Sequence, residues 1–340
     1  MDQPNNIVVR MPNWIGDIVM ATPVLADLRA AFPSAQITAM CMHPFAHILD
    51  RDPAVDEVFC FRKVRGSVRR DAKRNITEKL KAGGYDLGVI LTNSFSSAWW
   101  FYQANINRRI GFAGNLRSPL LTDAIAFPEN RKEQHLVKTY KALLQPLGIE
   151  QSETPPKLFV DEHETQAARA LLKTFGINEG ETIVGINPCA AFGSAKCWLP
   201  ERFREVARHL AEEKKVRVLF FGAGDCNDLV KSICAGLPAE VVNLAGMTSV
   251  RELMAITSLC SLFITNDSGP MHIADALEIP LIAIFGSTSD VATGPYNQKR
   301  VLRKSVSCSP CFKRKCPIDF RCMTGISVDD VLNQVSKVLN

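Results

Sequence analysis

No apolar run in this 340-residue chain approaches the roughly 20 residues that a helix needs to cross a bilayer. The opening residues, Met1-Asp2-Gln3-Pro4-Asn5-Asn6, are polar and lead straight into Ile7-Val8-Val9. They lack the basic start and apolar stretch of a secretory signal, so a cytosolic protein is expected, resting at most on a membrane surface. No G-x-G-x-x-G follows the first strand-like segment, which argues against a dinucleotide oxidoreductase. The second half has no D-x-D pair of carboxylates, so no divalent ion is expected to be needed there. The chain shows no internal repeat and no low-complexity tract. The basic stretch at residues 62–74 has no aromatics alternating with its charges as a nucleic-acid stacking platform requires, so nucleic acid is not an expected partner.

What is present suits a soluble globular protein, with 46% apolar and 22% charged residues. The length suggests two domains. The net charge of +5 is unevenly placed. Arg62, Lys63, Arg65, Arg69, Arg70, Lys73 and Arg74 crowd one stretch, opposed only by Asp71. Such a run is either a solvated face or a patch for a phosphorylated or membrane-bound partner. Eleven cysteines is a high count for a cytosolic chain. Cys41, Cys60, Cys189, Cys197, Cys226, Cys234 and Cys260 are scattered, as small apolar core residues would be. The other four form Cys308-x2-Cys311-x4-Cys316-x5-Cys322. That set has the ligand number for zinc but a spacing tighter than common zinc modules. Reduced thiols in an ordered loop are the default reading, and a structural metal is the alternative.

Strand and helix signals alternate throughout. Short apolar runs at 7–9, 37–40, 58–61 and 87–91 are separated by helical or polar segments. The helical run 134–147 stops at Gly148. Residues 150–157 are polar, contain Pro155-Pro156 and make the best linker. The alternation then restarts, with strands expected at 183–186, 216–221, 241–244, 262–265 and 281–285. Strands this short and apolar between amphipathic helices imply parallel sheets covered on both faces. The expected architecture is α/β: two doubly wound, Rossmann-like domains, 1–150 and 151–327, whose loops face each other across a cleft. The last helical stretch, 328–339, is expected to fold back onto the first domain.

Ligands in such sheets bind beyond the carboxyl ends of the strands, and the unusual residues gather there. Asn266-Asp267-Ser268-Gly269 links an apolar strand to a helix that carries His272. It offers a carboxylate, a hydroxyl and free N–H groups together, as a sugar beside a phosphate would need. Alternatively it is a plain helix N-cap. Gly16-Asp17 closes the first strand–helix turn, and Asp17 is either a cap or a general base. Lys196, between Gly193-Ser194 and Trp198-Leu199-Pro200, is placed to meet an anion near a helix start, if it is not an ordinary surface lysine. Gly222-Ala223-Gly224-Asp225 reads as a phosphate or ribose loop or as a common glycine turn.

The segments Arg10-Met11-Pro12-Asn13-Trp14-Ile15-Gly16-Asp17, Asn93-Ser94-Phe95, Ala191-Phe192-Gly193-Ser194-Ala195-Lys196-Cys197-Trp198 and Asn266-Asp267-Ser268-Gly269-Pro270-Met271-His272 closely resemble the lipopolysaccharide heptosyltransferases of glycosyltransferase family nine. The match is nearest to the branch that adds the second inner-core heptose, and it runs in order from Ile7 to about Val335. The resemblance implies a GT-B fold and an inverting transfer from ADP-L-glycero-D-manno-heptose. The acceptor it implies is phosphorylated heptosyl-Kdo-lipid A, met by a cytoplasmic, peripheral enzyme on the inner face of the inner membrane. It makes Asp17 the catalytic base. Lys196 would bind the donor diphosphate, Asp267 the heptose hydroxyls, and Ser268, Gly269 and His272 would line that pocket. Met247 would pack near adenine, after the Gly222 turn, with Asp225 or Asp228 on the ribose. Asn93, Ser94, Arg69, Arg70 and Lys73 would meet the acceptor. No cofactor is implied. Cys308, Cys311, Cys316 and Cys322 are shared by many members but not all, so they would be structural. A heptosyltransferase with another acceptor, a nucleotide-sugar epimerase and a non-enzymatic metal-stabilised module are the other readings.

Overall fold

Among the described residues, twelve short strands build two separate sheets of six. The computed structural model describes residues 3–62, 69–298 and 300–339, with the side chains of 69–73 outside the description. The chain divides into compact units at Phe159/Val160. In the first unit the strands are β1 (Asn6–Arg10), β2 (Gln36–Met42), β3 (Glu57–Phe61), β4 (Leu87–Ile90), β5 (Arg108–Phe112) and β6 (Asp123–Ile125). Its helices are α1 (Ile15–Ala31), α2 (Arg69–Ala82), α3 (Phe95–Gln103) and α4 (Leu136–Lys141). The strand order is β3-β2-β1-β4-β5-β6 and every pairing is parallel.

The second unit repeats that order. Its strands are β7 (Ile183–Asn187), β8 (Arg217–Phe220), β9 (Val241–Asn243), β10 (Leu262–Asn266), β11 (Leu281–Phe285) and β12 (Val301–Arg303). They lie as β12-β11-β10-β7-β8-β9, again all parallel. Its helices are α5 (Glu162–Thr174), α6 (Pro200–Glu212), α7 (Asn227–Cys234), α8 (Val250–Thr257), α9 (Gly269–Ala276), α10 (Asp290–Thr293), α11 (Arg321–Thr324) and α12 (Val328–Val335). Both sheets therefore have the dinucleotide-fold order, reversing direction between β1 and β4 and between β7 and β10.

Alternation along the strands explains the layers, because successive side chains point to opposite faces. Val184, Ile186, Leu262, Ile264, Ile282 and Ile284 enter one core with Phe203, Val206 and Leu210 of α6. Ile183, Phe263, Leu281, Ala283 and Phe285 enter the other with Leu172 of α5, Ile256 of α8 and Met271 of α9. In the first unit Val8, Met40 and Ile90 pack under Ile76 and Leu80 of α2 and Ala98 and Phe101 of α3. Helix α1 packs on α4.

Two expectations about the domains need correction. The C-terminal helix does not return to the first domain. Val331 and Val335 of α12 are buried in the core beneath α6, within the second unit. The division also falls after the proline-containing linker, because that linker is tied to the first unit. Lys141 Nζ donates to Ser152 and Thr154 carbonyls (2.8 and 2.9 Å), Ser152 Oγ donates to Asp27 (2.6 Å), and Lys157 N donates to Thr22 Oγ1 (3.2 Å).

Candidate active site

Both switch points carry the singled-out residues, since β1 leads to Asp17, β4 to Asn93, β7 to Lys196 and β10 to Asp267. In the second unit, the polar side chains at the ends of β7 and β10 knit these loops together. Asn266, fully buried, accepts from Trp198 N (2.8 Å) and donates to the Pro188 carbonyl (2.7 Å). Asn187 donates to Ser268 Oγ (3.0 Å) and to the Cys189 carbonyl (2.9 Å). Trp198 is itself buried, with Nε1 donating to the Ile326 carbonyl (3.0 Å). Such paired amides hold a loop rigidly because each lost partner would strand a buried polar atom.

On this frame Lys196 Nζ lies 2.5 Å from Asp267 Oδ2, with the lysine side chain 15% and the aspartate side chain 4% exposed. Thr288 Oγ1, from the loop after β11, donates to the same oxygen (2.5 Å). The ammonium also sits over the Phe192 ring, 5.1 Å from its centroid. Lys196 is therefore no ordinary surface lysine. Ser268 occupies the N-cap position of α9 but makes no side-chain cap hydrogen bond, and Pro270 follows in the first turn. Its hydroxyl turns back instead, to Asn187 and to Thr265 Oγ1 (3.0 Å). The start of α9, which lacks a side-chain cap, thus directly follows Asp267 of the Lys196–Asp267 pair, and a helix start near a lysine is a setting that favours an anion. His272 is buried in the first turn of the same helix.

The loops after β8 and β9 adjoin. Gly246 N donates to the Gly222 carbonyl (2.9 Å), and a methyl on Gly246 would stand 3.1 Å from Gly224 Cα. This brings the Gly222–Asp225 turn beside Met247, which is 57% exposed. Asp225 and Asp228 are both exposed. Cys189 and Cys226 are bonded to each other, so two of the scattered cysteines cross-link the loops after β7 and β8 instead of serving only as core residues. Cys308, Cys311, Cys316 and Cys322 line one cavity of about 60 Å³. Burial, and then Cys308 and Cys316, push the Cys322 thiol up. Among the described residues no three His, Cys, Asp or Glu side chains converge as a metal site.

In the first unit, Trp14 takes the N-cap position of α1, leaving Asp17 in the first turn, half-buried. Tyr140 Oη donates to Asp17 Oδ1 (3.1 Å). Burial, and then the Asp17 charge, raise the Tyr140 phenol well above its ordinary pKa, so it stays a donor and fixes the carboxylate's orientation. Buried Arg10, lowered to about 10 by burial, donates to Asn13 Oδ1 (2.6 Å) and lies over Phe61, shaping the turn before Asp17. Asn93 is exposed, and its side-chain oxygen accepts from Arg117 (3.2 Å), a fully buried guanidinium also bonded to the Phe112 and Thr92 carbonyls. Ser94 caps α3 and bonds Ser97 Oγ (2.8 Å). Arg69, Arg70 and Lys73 begin α2, and their side chains lie outside the described residues.

Tyr140, Arg117 and Thr288, which bond to Asp17, Asn93 and Asp267, are the residues of this candidate site that sequence reasoning missed. Only Thr288 had a local signal, the Gly286-Ser287-Thr288-Ser289 turn after an apolar strand.

Residues 73–320 match the model of glycosyltransferase family 9 (heptosyltransferase). Lipopolysaccharide heptosyltransferase 2 of Salmonella typhimurium is 32% identical over 305 residues, 87% of each chain. Lipooligosaccharide heptosyltransferase 2 of Campylobacter jejuni is 27% identical over 341 residues, 98% of each chain. Among solved structures, the ADP-heptose lps heptosyltransferase II of E. coli superposes with a TM-score of 0.85 at 28% identity, covering 98% of both chains.

Proposed function

Because the chain belongs to glycosyltransferase family 9, the heptosyltransferases, and its two Rossmann-like units are those of a GT-B fold, we propose that it moves L-glycero-D-manno-heptose from ADP-heptose onto the heptose of a phosphorylated heptosyl-Kdo-lipid A acceptor. The reaction builds the lipopolysaccharide inner core, with the enzyme peripheral to the inner face of the inner membrane. The observation that carries this reading is the Lys196–Asp267 pair beside the uncapped start of α9. A leaving ADP gains negative charge as the glycosidic bond breaks. Lys196 and the Gly269, Met271 and His272 amides supply a fixed positive field for it, with no divalent ion required. One well-placed donor of this kind is worth about 3 kcal/mol at the transition state.

Asp17 takes the proton of the acceptor hydroxyl as that oxygen attacks the anomeric carbon opposite the departing diphosphate, which inverts the centre. Asp267, already tied to Lys196 and Thr288, holds heptose hydroxyls and so links sugar recognition to the diphosphate lysine. Met247 meets adenine, and Asp225 or Asp228 the ribose, beside the Gly222 turn. Asn93 and Ser94 meet acceptor sugar, and Arg69, Arg70 and Lys73 meet its phosphates.

The test is mass spectrometry of products formed from ADP-heptose with acceptors carrying zero, one or two heptoses. Addition of a single heptose only to the one-heptose acceptor supports the reading. Preference for the bare or the two-heptose acceptor would assign a different step, and no transfer to any of them would overturn it.

A further inference from the structure

Helix α3 presents aromatic surface on the side that the core does not use. Its inner side, Ala98 and Phe101, is buried against the sheet and α2. Its outer side carries Phe95, Trp99 and Tyr102, spaced four and three residues apart and therefore in line along one stripe. They are 47%, 38% and 46% exposed. The rings stack in a ladder, 6.1 Å between Phe95 and Trp99 and 5.9 Å between Trp99 and Tyr102. The Arg109 guanidinium ends the ladder 5.5 Å from the Tyr102 ring. Leu116 extends the apolar surface: it is 89% exposed at a φ of +57°, and its neighbour Asn115 is bonded to the Asn93 carbonyl just before α3 (2.7 Å). A helix apolar on both sides is normally buried, and clustered exposed aromatics mark a contact surface.

The charge beside the ladder selects what covers it. Helix α2 packs directly against α3, and its sequence, RRDAKRNITEKLKA, has six basic residues against two acids. Of these, Arg74, Lys79 and Lys81 are exposed. Trp and Tyr prefer the boundary between acyl chains and headgroups, where a ring lies in the apolar layer and its N–H or O–H meets water. Lys and Arg on an adjoining face prefer anionic headgroups. An aromatic helix next to a basic helix matches an anionic bilayer surface better than it matches an apolar protein groove.

We propose that the Phe95–Trp99–Tyr102 face of α3 docks on the surface of an anionic phospholipid bilayer, with α2 supplying the charge attraction. The proposal rests on the reading that the acceptor is lipid-linked, and it names the part of the molecule that meets the lipid surface around that acceptor. Trp99 and Tyr102 have no part in the transfer chemistry.

The experiment is co-sedimentation of the full chain with vesicles of phosphatidylglycerol and phosphatidylethanolamine, and with vesicles of phosphatidylcholine alone. The wild type is expected to sediment with the anionic vesicles and to be released as salt rises. The double variant Trp99→Ser/Tyr102→Ser should lose about tenfold in partition, whereas Trp99→Phe should keep most of it. Turnover of a water-soluble, deacylated acceptor should be unchanged in all three, which also shows that they are folded. Equal partition of wild type and double variant, or no binding by the wild type, overturns the proposal. So does wild-type self-association that the double variant abolishes without any vesicle binding. Failure of the wild type to use the soluble acceptor would count against the proposed reaction, and the vesicle result would still decide the docking face.

Discussion

Asp17 and Lys196 differ in how their removal should register. Asp17→Asn keeps the Tyr140 hydrogen bond and the start of α1 but cannot take a proton. Turnover should fall at least about a hundredfold, with ADP binding retained. Near-normal turnover would leave Asp17 a structural residue of the first turn. Lys196→Ala should weaken ADP binding and turnover together, because the charge meets the diphosphate in both ground and transition states. It should also cost fold stability, since it leaves Asp267 buried with a missing ion partner, a loss of about 3–5 kcal/mol. Lys196→Ala/Asp267→Ala should recover part of that stability without recovering ADP affinity. A double variant no more stable than Lys196→Ala would show that the pair does not matter to the fold. At this scale the sequence was informative where a motif is local, because Lys196, Asp267 and Ser268 lie in single loops at strand ends. It was silent on Tyr140 and Arg117, which reach Asp17 and Asn93 only through tertiary packing.

The elements show the same division between local and tertiary information. Central strands such as β7, β10 and β11 are fully buried and largely apolar, and they stand out in the sequence. β6 and β12 are three-residue edge strands, only partly buried, and β5 opens with Arg108-Arg109. Their strand character comes from pairing with a neighbour, which no apolar pattern records. α12 was recognisable as a helix, but its destination was not, since its apolar stripe would suit any apolar face. Among the loops, Gly193 has a φ of +153°, and a Cβ there would stand 2.3 Å from the Arg314 carbonyl oxygen. The Arg314 carbonyl also accepts from Ala195 N (3.0 Å). The segment between Cys311 and Cys316 therefore braces the turn that aims Lys196. Gly193→Ala should strain that turn by about 1–3 kcal/mol and weaken ADP binding about tenfold or more, although it removes no charge. Unchanged ADP affinity by calorimetry would mean that Lys196 is aimed without this brace.

At the scale of the whole molecule, Asp52 and Asp275, one in each unit, give stability a pH dependence. Asp52 in the first unit and Asp275 in the second are both pushed up to about 6, chiefly by burial. Asp275 sits on α9, where its carboxylate accepts from Tyr296 N (2.7 Å) and Asn297 N (3.1 Å). These bonds favour the ionised form but do not outweigh desolvation. The sign follows from proton counts. Between about pH 4 and pH 6 the folded chain holds protons that an unfolded aspartate has already lost, so stability falls as pH rises through that window. Raising an aspartate from its ordinary value near 4 to about 6 corresponds to about 3 kcal/mol for each residue. Glu181 acts oppositely: Arg217 lowers it to about 2, so its contribution is present above its unfolded pKa and is lost as pH falls toward 2. Melting followed from pH 4 to pH 8 should therefore show a decline centred between pH 4 and 6. Asp275→Asn should flatten it for the second unit, because the amide keeps an acceptor oxygen and has no proton to lose. An identical slope in the variant would show that the Asp275 carboxyl titrates alike in the folded and unfolded chains. The same buried acid lies on the helix whose first turn faces the proposed diphosphate, so ADP should raise the melting temperature of wild type and Asp275→Asn alike. That comparison separates an acid that tunes the fold from one that takes part in donor binding.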